Sequence, residues 1–129
     1  MLTFSEIQSF SVRLLEYWAP DVERCGVISR NLRIREVQNR AEDPKNTFAF
    51  RLKDLENGVK ATWHSHPVTT ANLSIDDYRF FQAWPEMLHF IIGVDGVRCY
   101  QVHDGIVYYV EDEADYSPRQ DEGSLQPSD

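Results

Sequence analysis

The stretch of residues 60–77 constrains this chain most, because a strand pattern, a proline, a short polar loop and a helix start follow one another there. Residues 59–63, which precede the two histidines, favour a strand, and Pro67 ends the strand pairing. Side chains alternate along a strand, so His64 and His66 point to the same face. The sequence therefore predicts a strand over residues 60–66 on which two imidazoles converge.

A helix start follows the loop at Ser74-Ile75-Asp76-Asp77, where a serine precedes an acidic residue by three positions. This capping box alone would account for Ser74 and Asp77 as helix-start residues without a metal. The neighbouring histidines favour a further role, in which Asp77 brings a carboxylate to the imidazoles while Ser74 caps the helix. The spacing favours Asp77 over Asp76, which we interpret as a solvated first-turn acid.

Two imidazole nitrogens and one carboxylate form a donor set that suits Zn²⁺. His64, His66 and Asp77 would hold the ion and leave a fourth position to water, which is the arrangement of a catalytic zinc site. Zinc lowers the pKa of bound water to about 7, so hydroxide is available at neutral pH. The sequence lacks the His-Glu-x-x-His pattern of thermolysin-like enzymes and the patterns of zinc deaminases. We interpret His89 and His103 as packing or surface residues.

The same residues resemble the signature of the JAMM (MPN-plus) zinc metalloproteases, in which His-x-His is followed by seven residues and then Ser-x-x-Asp. Upstream, the run Glu23–Ile28 is similar to a Glu-x-Cys-Gly-hydrophobic run found near the start of many prokaryotic members. The resemblance covers roughly residues 1–110 and implies a JAMM/MPN-like fold with the same three zinc ligands. It also implies that Glu23 is the general base and that Ser74 donates to the oxyanion.

The resemblance further indicates a class of substrate. Members of the family cleave after the C-terminus of ubiquitin or ubiquitin-like proteins, and eukaryotic members carry insertions that read the chain linkage. Here Gln82–Glu86 passes directly from helix to strand, without room for such an insertion. The compact chain is similar to prokaryotic and phage members, and Asn39–Pro44 with Thr47-Phe48 resembles the peptidase half of the phage tail assembly protein K family.

The function implied is therefore that of a zinc-dependent metallopeptidase or isopeptidase. Its expected substrate is a ubiquitin-like protein or a phage tail protein. The alternative is a non-catalytic MPN-type scaffold that serves as an interaction module. The presence of Glu23, His64, His66 and Asp77 at the positions of the motif argues against the scaffold.

The charge of the chain lies mainly at its C-terminal end. Residues 111–129 carry seven acidic residues and one Arg, a net charge of −6 out of −8, which leaves −2 for the rest. The near-neutral body has no basic stripe, so nucleic acid is not expected as a partner. The acidic residues 113–129, punctuated by Pro and Gly, are predicted to form a disordered tail, and residues 1–112 the metallopeptidase domain.

The two cysteines, Cys25 and Cys99, are too few for a disulfide framework. They are expected to be buried thiols in a reducing compartment, although Cys25 with a histidine base is a rival nucleophile. No apolar run reaches about 18 residues and no signal peptide is evident. We therefore expect a cytoplasmic protein, bacterial or in a phage-infected host, with no membrane partner.

The remaining pattern predicts a helix–strand meander around one sheet. A chain of 129 residues suffices for one domain, whose fold class we predict as α/β, with a central mixed sheet and helices packed against it. Helices are predicted over Phe4–Trp18, with a capping box at Thr3, and from Ser74 onward. Asp-Gly pairs at 95–96 and 104–105 indicate hairpin turns. Strands are predicted at Cys25–Ser29, Leu32–Val37, Phe48–Leu52, Lys60–His66, Met87–Val94, Val97–Val102 and Ile106–Val110.

Overall fold

One mixed β-sheet organises the part of the chain that the computed structural model describes, residues 1–117. Its six strands are β1 (Cys25–Ile28), β2 (Ile34–Val37), β3 (Ala61–Ser65), β4 (Leu88–Gly93), β5 (Gly96–His103) and β6 (Ile106–Val110). The helices are α1 (Phe4–Arg13) and α2 (Ile75–Ala83), and 3₁₀ turns cover Leu14–Tyr17, Leu52–Leu55 and Glu113–Asp115. The α/β class with a mixed sheet, predicted from the sequence, is confirmed.

The order of the strands brings the helix start to the histidines. Across the sheet the order is β2-β1-β3-β4-β5-β6, and neighbours are antiparallel except for β3 and β4, which run parallel with His64 opposite Ile91. A parallel pair needs a crossover connection, which the loop after β3 and helix α2 supply. The crossover leaves from the end of β3, and the first turn of α2 meets that strand end.

Helices cover both faces of the sheet. Trp63 of β3 lies in the core under α1, in one cluster with Ile7 and Phe10 of that helix. Its neighbour His64 points to the opposite face, which α2 covers with Phe81, whose ring centroid lies 6.3 Å from that of His64. None of the helices within residues 1–117 is long and apolar enough to cross a membrane.

Local signals account for most of the element boundaries. The capping box of α1 is present, with the Glu6 N–H donating to Thr3 Oγ1 at 3.1 Å and the Thr3 N–H donating to the Glu6 carboxylate at 2.8 Å. The helix predicted to reach Trp18 tightens after Arg13 into a 3₁₀ turn. Both Asp-Gly turns join strands as predicted, and their glycines adopt the positive φ that such turns require, as Gly105 does at 78°.

The strand predicted at Phe48–Leu52 does not form. A backbone N–H of this segment instead donates to the side chain of Asn39 at 3.1 Å. Phe48 and Phe50 meet edge to face with ring centroids 5.7 Å apart, and both contact Phe80 of α2. The alternation of apolar residues that suggests a strand therefore builds an aromatic cluster beside the sheet.

The C-terminal end of the described chain packs onto the domain. Residues 113–115 form a 3₁₀ turn, and the buried Tyr116 donates a hydrogen bond from its hydroxyl to the Leu2 carbonyl. The first residues of the segment predicted as a tail, 113–117, thus extend the domain, because the Tyr116 ring fills a place in the core. The rest of that predicted tail, residues 118–129, lies outside the described residues.

Candidate metal centre

The two histidines lie at the end of β3, where the chain leaves the sheet. His64 is fully buried between β1 and β4, and the N–H of His66 donates to the Ile92 carbonyl at 2.8 Å. The Trp18 indole N–H donates to the His66 carbonyl at 3.0 Å, so the backbone of His66 is held on both sides. The Nε2 atoms of the two imidazoles lie 3.2 Å apart, the convergence that strand alternation predicts.

Asp77 joins the histidines from the first turn of α2. Its Oδ1 lies 3.1 Å from Nε2 of His64, and its Oδ2 lies 3.1 Å from Nε2 of His66. The capping box is also present, because the Asp77 N–H donates to Ser74 Oγ at 3.1 Å and the Ser74 N–H donates to Asp77 Oδ2 at 3.0 Å. Capping and contact with the histidines are thus compatible. Asp76 is exposed, so the fold brings Asp77 rather than Asp76 to this point.

The hydrogen bond of His66 Nδ1 determines which ring nitrogen of His66 is free to bind a metal. Its Nδ1 lies 2.8 Å from the Thr70 carbonyl oxygen, which can only accept, so Nδ1 carries the proton and Nε2 of the neutral ring carries none. Metal-binding histidines are usually oriented in this way. The buried Nδ1 of His64 has no hydrogen-bond partner within residues 1–117, and the ring stacks on Phe48 with centroids 4.0 Å apart.

A zinc ion fits this donor set. Ligands about 2.0–2.2 Å from a tetrahedral centre are about 3.3–3.6 Å from one another. The separations here are 3.2 Å between the nitrogens and 3.1 Å from each nitrogen to Asp77. The bare Nε2 of His66 thus faces a carboxylate oxygen and a second imidazole nitrogen, and such electron-rich atoms converge only around a proton or a cation. Imidazole and carboxylate are ligands that zinc takes.

The charges of the centre favour a bound cation. Although burial opposes its ionisation, contacts with His64 and His66 hold the pKa of Asp77 well below its usual range. Burial lowers the pKa of His64 in spite of the carboxylate beside it. For His66, burial acts in the same direction, but the hydrogen bonds to Asp77 and Thr70 outweigh it and raise the pKa. An ionised carboxylate therefore lies against the Nε2 atoms of both imidazoles, where it would stabilise a bound cation.

Glu23 approaches the same point from the segment ahead of β1. Its side chain is buried, and Glu23, His64 and His66 offer ligand atoms within 4.8 Å of one another. Burial raises the pKa of Glu23 to about 7, with His66 opposing this increase and Asp77 adding to it. A carboxyl group with a pKa near neutrality is suited to accept and return a proton. Both carboxylates are candidates for the ion, and the contacts of Asp77 with both Nε2 atoms favour Asp77 as the third ligand.

Asn39 holds the backbone of Glu23, and the sequence patterns do not single it out as a site residue. Its side-chain N–H groups donate to the carbonyls of Glu23 at 2.8 Å and Thr47 at 2.9 Å. Its oxygen accepts from the N–H groups of Ala41 at 3.0 Å and Ala49 at 3.1 Å. The available sequence signal is an amide side chain two residues after the end of β2, at a place where such residues organise turns.

The centre opens into a cleft of roughly 650 Å³. Ser74, exposed at the start of α2, lines this cleft together with Glu23, His66 and Asp77. The fold thus brings together the residues that the sequence predicts for the site, namely Glu23, His64, His66, Ser74 and Asp77. The role of Ser74 toward an oxyanion stays a prediction.

Three other candidate residues have different roles. Burial raises the pKa of the Cys25 thiol to about 12, so the thiolate is rare at neutral pH and Cys25 is poorly suited to act as a nucleophile. His89 is buried, with ring nitrogens 2.6 Å from the Thr62 hydroxyl and 2.9 Å from the Trp84 carbonyl. His103 is exposed. The two histidines thus have the packing and surface roles expected from the sequence.

Comparisons with known proteins show the fold and nothing finer. No family model matches the chain, and no curated protein matches it. The chain is similar to the solution structure of protein DSY2949 from Desulfitobacterium hafniense, a structural genomics target, with a TM-score of 0.53 and 19% identity. The match covers 83% of this chain and 86% of that chain. A likeness at this identity shows a shared mixed α/β fold.

Proposed function

We propose that this protein is a zinc-dependent metallopeptidase or isopeptidase of the JAMM (MPN-plus) type. The observation that carries the proposal is the convergence of His64, His66 and Asp77 at 3.1–3.2 Å, beside the buried Glu23 and at the edge of an open cleft. The order and spacing of these residues along the chain resemble the family signature. A ubiquitin-like protein and a phage tail protein are the two substrates that this resemblance suggests.

The residues of the centre divide the reaction among them. Zinc held by His64, His66 and Asp77 would supply a Lewis acid and a water of lowered pKa. Glu23 takes the proton of the attacking water on its carboxylate and returns it to the departing amine, for which its raised pKa is suited. The Ser74 hydroxyl donates to the scissile carbonyl oxygen as negative charge develops there. Its Oγ accepts from the Asp77 N–H, which leaves its own proton for this donation.

Neighbouring groups hold these residues in place. The Thr70 carbonyl sets the tautomer of His66, and the Ser74 N–H fixes one oxygen of Asp77. The Phe48 ring covers one face of His64 and keeps water from it. Preorganisation of this kind reduces the reorganisation that catalysis would otherwise require.

Metal content tests the ligand assignment. Purified protein should hold about one zinc per chain, and Asp77→Ala should lose it because the third ligand is gone. Asp76→Ala is the matched control, since it removes an exposed carboxylate from the same helical turn, and its zinc content should equal that of the wild type. Equal zinc in wild type and Asp77→Ala would remove Asp77 from the ligand set.

Hydrolysis tests the proposed chemistry. Glu23→Gln should keep the fold and the zinc but lose nearly all turnover, because an amide cannot accept the proton. Glu42→Gln, at an exposed position, is the control and should retain turnover. Suitable substrates are a ubiquitin-like protein extended past its terminal glycines and peptides from phage tail proteins. A zinc-loaded protein that cleaves neither class would contradict the proposal and favour the interaction module.

A further inference from the structure

The cleft beside the metal centre has a polar half and an apolar half. The polar half carries Glu23, His66, Ser74, Asp76 and Asp77. The apolar half is lined by Phe48, Phe50, Leu52, Leu55, Phe80 and Trp84. The proposed hydrolysis uses only the polar half, which leaves the apolar half to select the substrate.

Phe48 and Phe80 connect the two halves. The Phe48 ring, which stacks on His64, meets the Phe80 ring edge to face with centroids 5.2 Å apart. Phe50 stacks on Phe80 with centroids 5.6 Å apart. Because Phe80 follows Asp77 by three residues on α2, the two side chains share one side of the helix. The apolar wall therefore begins directly beside the group that would hold the metal.

The apolar half is formed before any ligand binds. Asn39 holds the segment that carries Phe48, because its side chain donates to the Thr47 carbonyl and accepts from the Ala49 N–H. Leu55 is buried. At the mouth of the cleft, Leu52 is 66% exposed and Val68 is 78% exposed. Exposed apolar side chains around a largely apolar cleft indicate a surface that a ligand covers.

We infer that the substrate carries a bulky apolar side chain, such as that of phenylalanine or leucine, on the residue next to the scissile bond, and that the apolar half receives it. The inference rests on the proposed hydrolysis and narrows its substrate class. A pair of glycines would leave the wall of Phe50, Leu52 and Phe80 in contact with water, whereas a large apolar side chain would bury it. The cleft of roughly 650 Å³ has room for such a side chain.

Matched pairs of hydroxamic acids test this inference by binding alone. N-acetylphenylalanine hydroxamate carries a benzyl group on the acyl side of the metal-binding group, and N-acetylglycine hydroxamate carries no side chain there. Benzylsuccinic monohydroxamate carries a benzyl group on the amine side, and succinic monohydroxamate lacks it. Calorimetry on the zinc-loaded protein should show that the benzyl member of at least one pair binds about ten- to a hundred-fold more tightly than its partner.

Variants of the apolar half test whether it causes the preference for the benzyl member of a pair. Leu52→Asp places a charge in the apolar half at an exposed position, so the fold should survive, and the preference for the benzyl member should fall at least about ten-fold. Leu15→Asp is the matched control, since Leu15 is 50% exposed and does not line the cleft. Phe80→Ala, checked for folding by circular dichroism, should lower the preference as well.

The outcomes separate this inference from the proposed function. Equal affinities within both pairs would overturn the inference while leaving the hydrolase proposal intact, and so would a preference that persists in both Leu52→Asp and Phe80→Ala. A protein that binds no zinc, and therefore no member of either pair, would overturn the proposed function and this inference with it. A benzyl preference lost in Leu52→Asp but kept in Leu15→Asp supports the inference.

Discussion

Replacement of Asn39 by alanine tests how the position of Glu23 is maintained. The side chain makes four hydrogen bonds of 2.8–3.1 Å, and each contributes about 0.5–1.5 kcal/mol net to stability. Their sum is about 2–6 kcal/mol, and water replaces part of it because Asn39 is half-buried. We therefore expect Asn39→Ala to lower the free energy of unfolding by about 2–3 kcal/mol, as measured by urea denaturation.

The functional consequence falls on Glu23, the proposed general base. Without Asn39 the Glu23 carbonyl loses its restraint, while the Glu23 N–H keeps its 2.7 Å bond to the Pro44 carbonyl. Small displacements of a catalytic group reduce turnover strongly, so hydrolysis should fall about ten-fold or more. Zinc content should stay unchanged, because the proposed ligands lie on β3 and α2. Asn39→Asp keeps the accepting oxygen and should recover part of the lost stability.

Asn46→Ala is the matched control for this prediction. Asn46 lies in the same loop and makes one side-chain bond, to Asp43 at 2.9 Å, at an exposed position. Its loss should cost less than about 1 kcal/mol and leave turnover unchanged. If Asn39→Ala behaves like Asn46→Ala in both assays, Asn39 does not position Glu23 and the reasoning fails.

Other perturbations test the surroundings of the centre. Gly93→Ala should weaken zinc binding about ten- to a hundred-fold in a chelator competition, because its Cβ would lie 2.1 Å from the Ala71 nitrogen and displace the loop whose carbonyl orients His66. Unchanged affinity would show that this loop does not orient the ligand. Chelation should lower the thermal midpoint of unfolding, since zinc at a hundred times its Kd stabilises by about 2.7 kcal/mol. Asp77→Ala should show no such difference. Burial lowers the pKa of His89 from 6.5 to about 3. Between these pH values the native state therefore binds fewer protons than the unfolded chain. The stability that His89 contributes above pH 6.5 is lost as the pH falls toward 3. Between pH 7 and 5 this loss should be about 2 kcal/mol larger in the wild type than in His89→Gln, by urea denaturation at both pH values.

Elements with strong local signals are predictable from this sequence. The capping boxes at Thr3 and Ser74 mark the starts of both helices, and the Asp-Gly pairs mark the turns among the last three strands. The segment Phe48–Leu52 has the alternation of a strand but not the structure. Its rings pack on α2 and its backbone bonds to Asn39, and both partners are distant in the sequence. Local pattern alone does not contain these contacts.

The same distinction applies to the candidate centre. The convergence of His64 and His66 follows from strand alternation, and the place of Asp77 follows from the helix start. Glu23 has no local signal of its own, and only the resemblance of the run Glu23–Ile28 to the family indicates its role. The Thr70 carbonyl and the Asn39 amide act through contacts that form only when the chain has folded. The groups that orient the site are therefore harder to predict than the groups that would bind the metal.

Asp77 shows how two local elements make one centre. The rotamer of its side chain is set by the capping box, because the Ser74 N–H bonds one carboxylate oxygen whether or not a metal is present. The imidazole of His64 is set by its place in the interior of the sheet, and that of His66 by the Thr70 carbonyl. The crossover that joins these elements is held where its loop packs on Gly93. Since packing orients His64 and hydrogen bonds within the protein orient His66 and Asp77, a cation has only to supply the positive charge that the Nε2 and carboxylate atoms require.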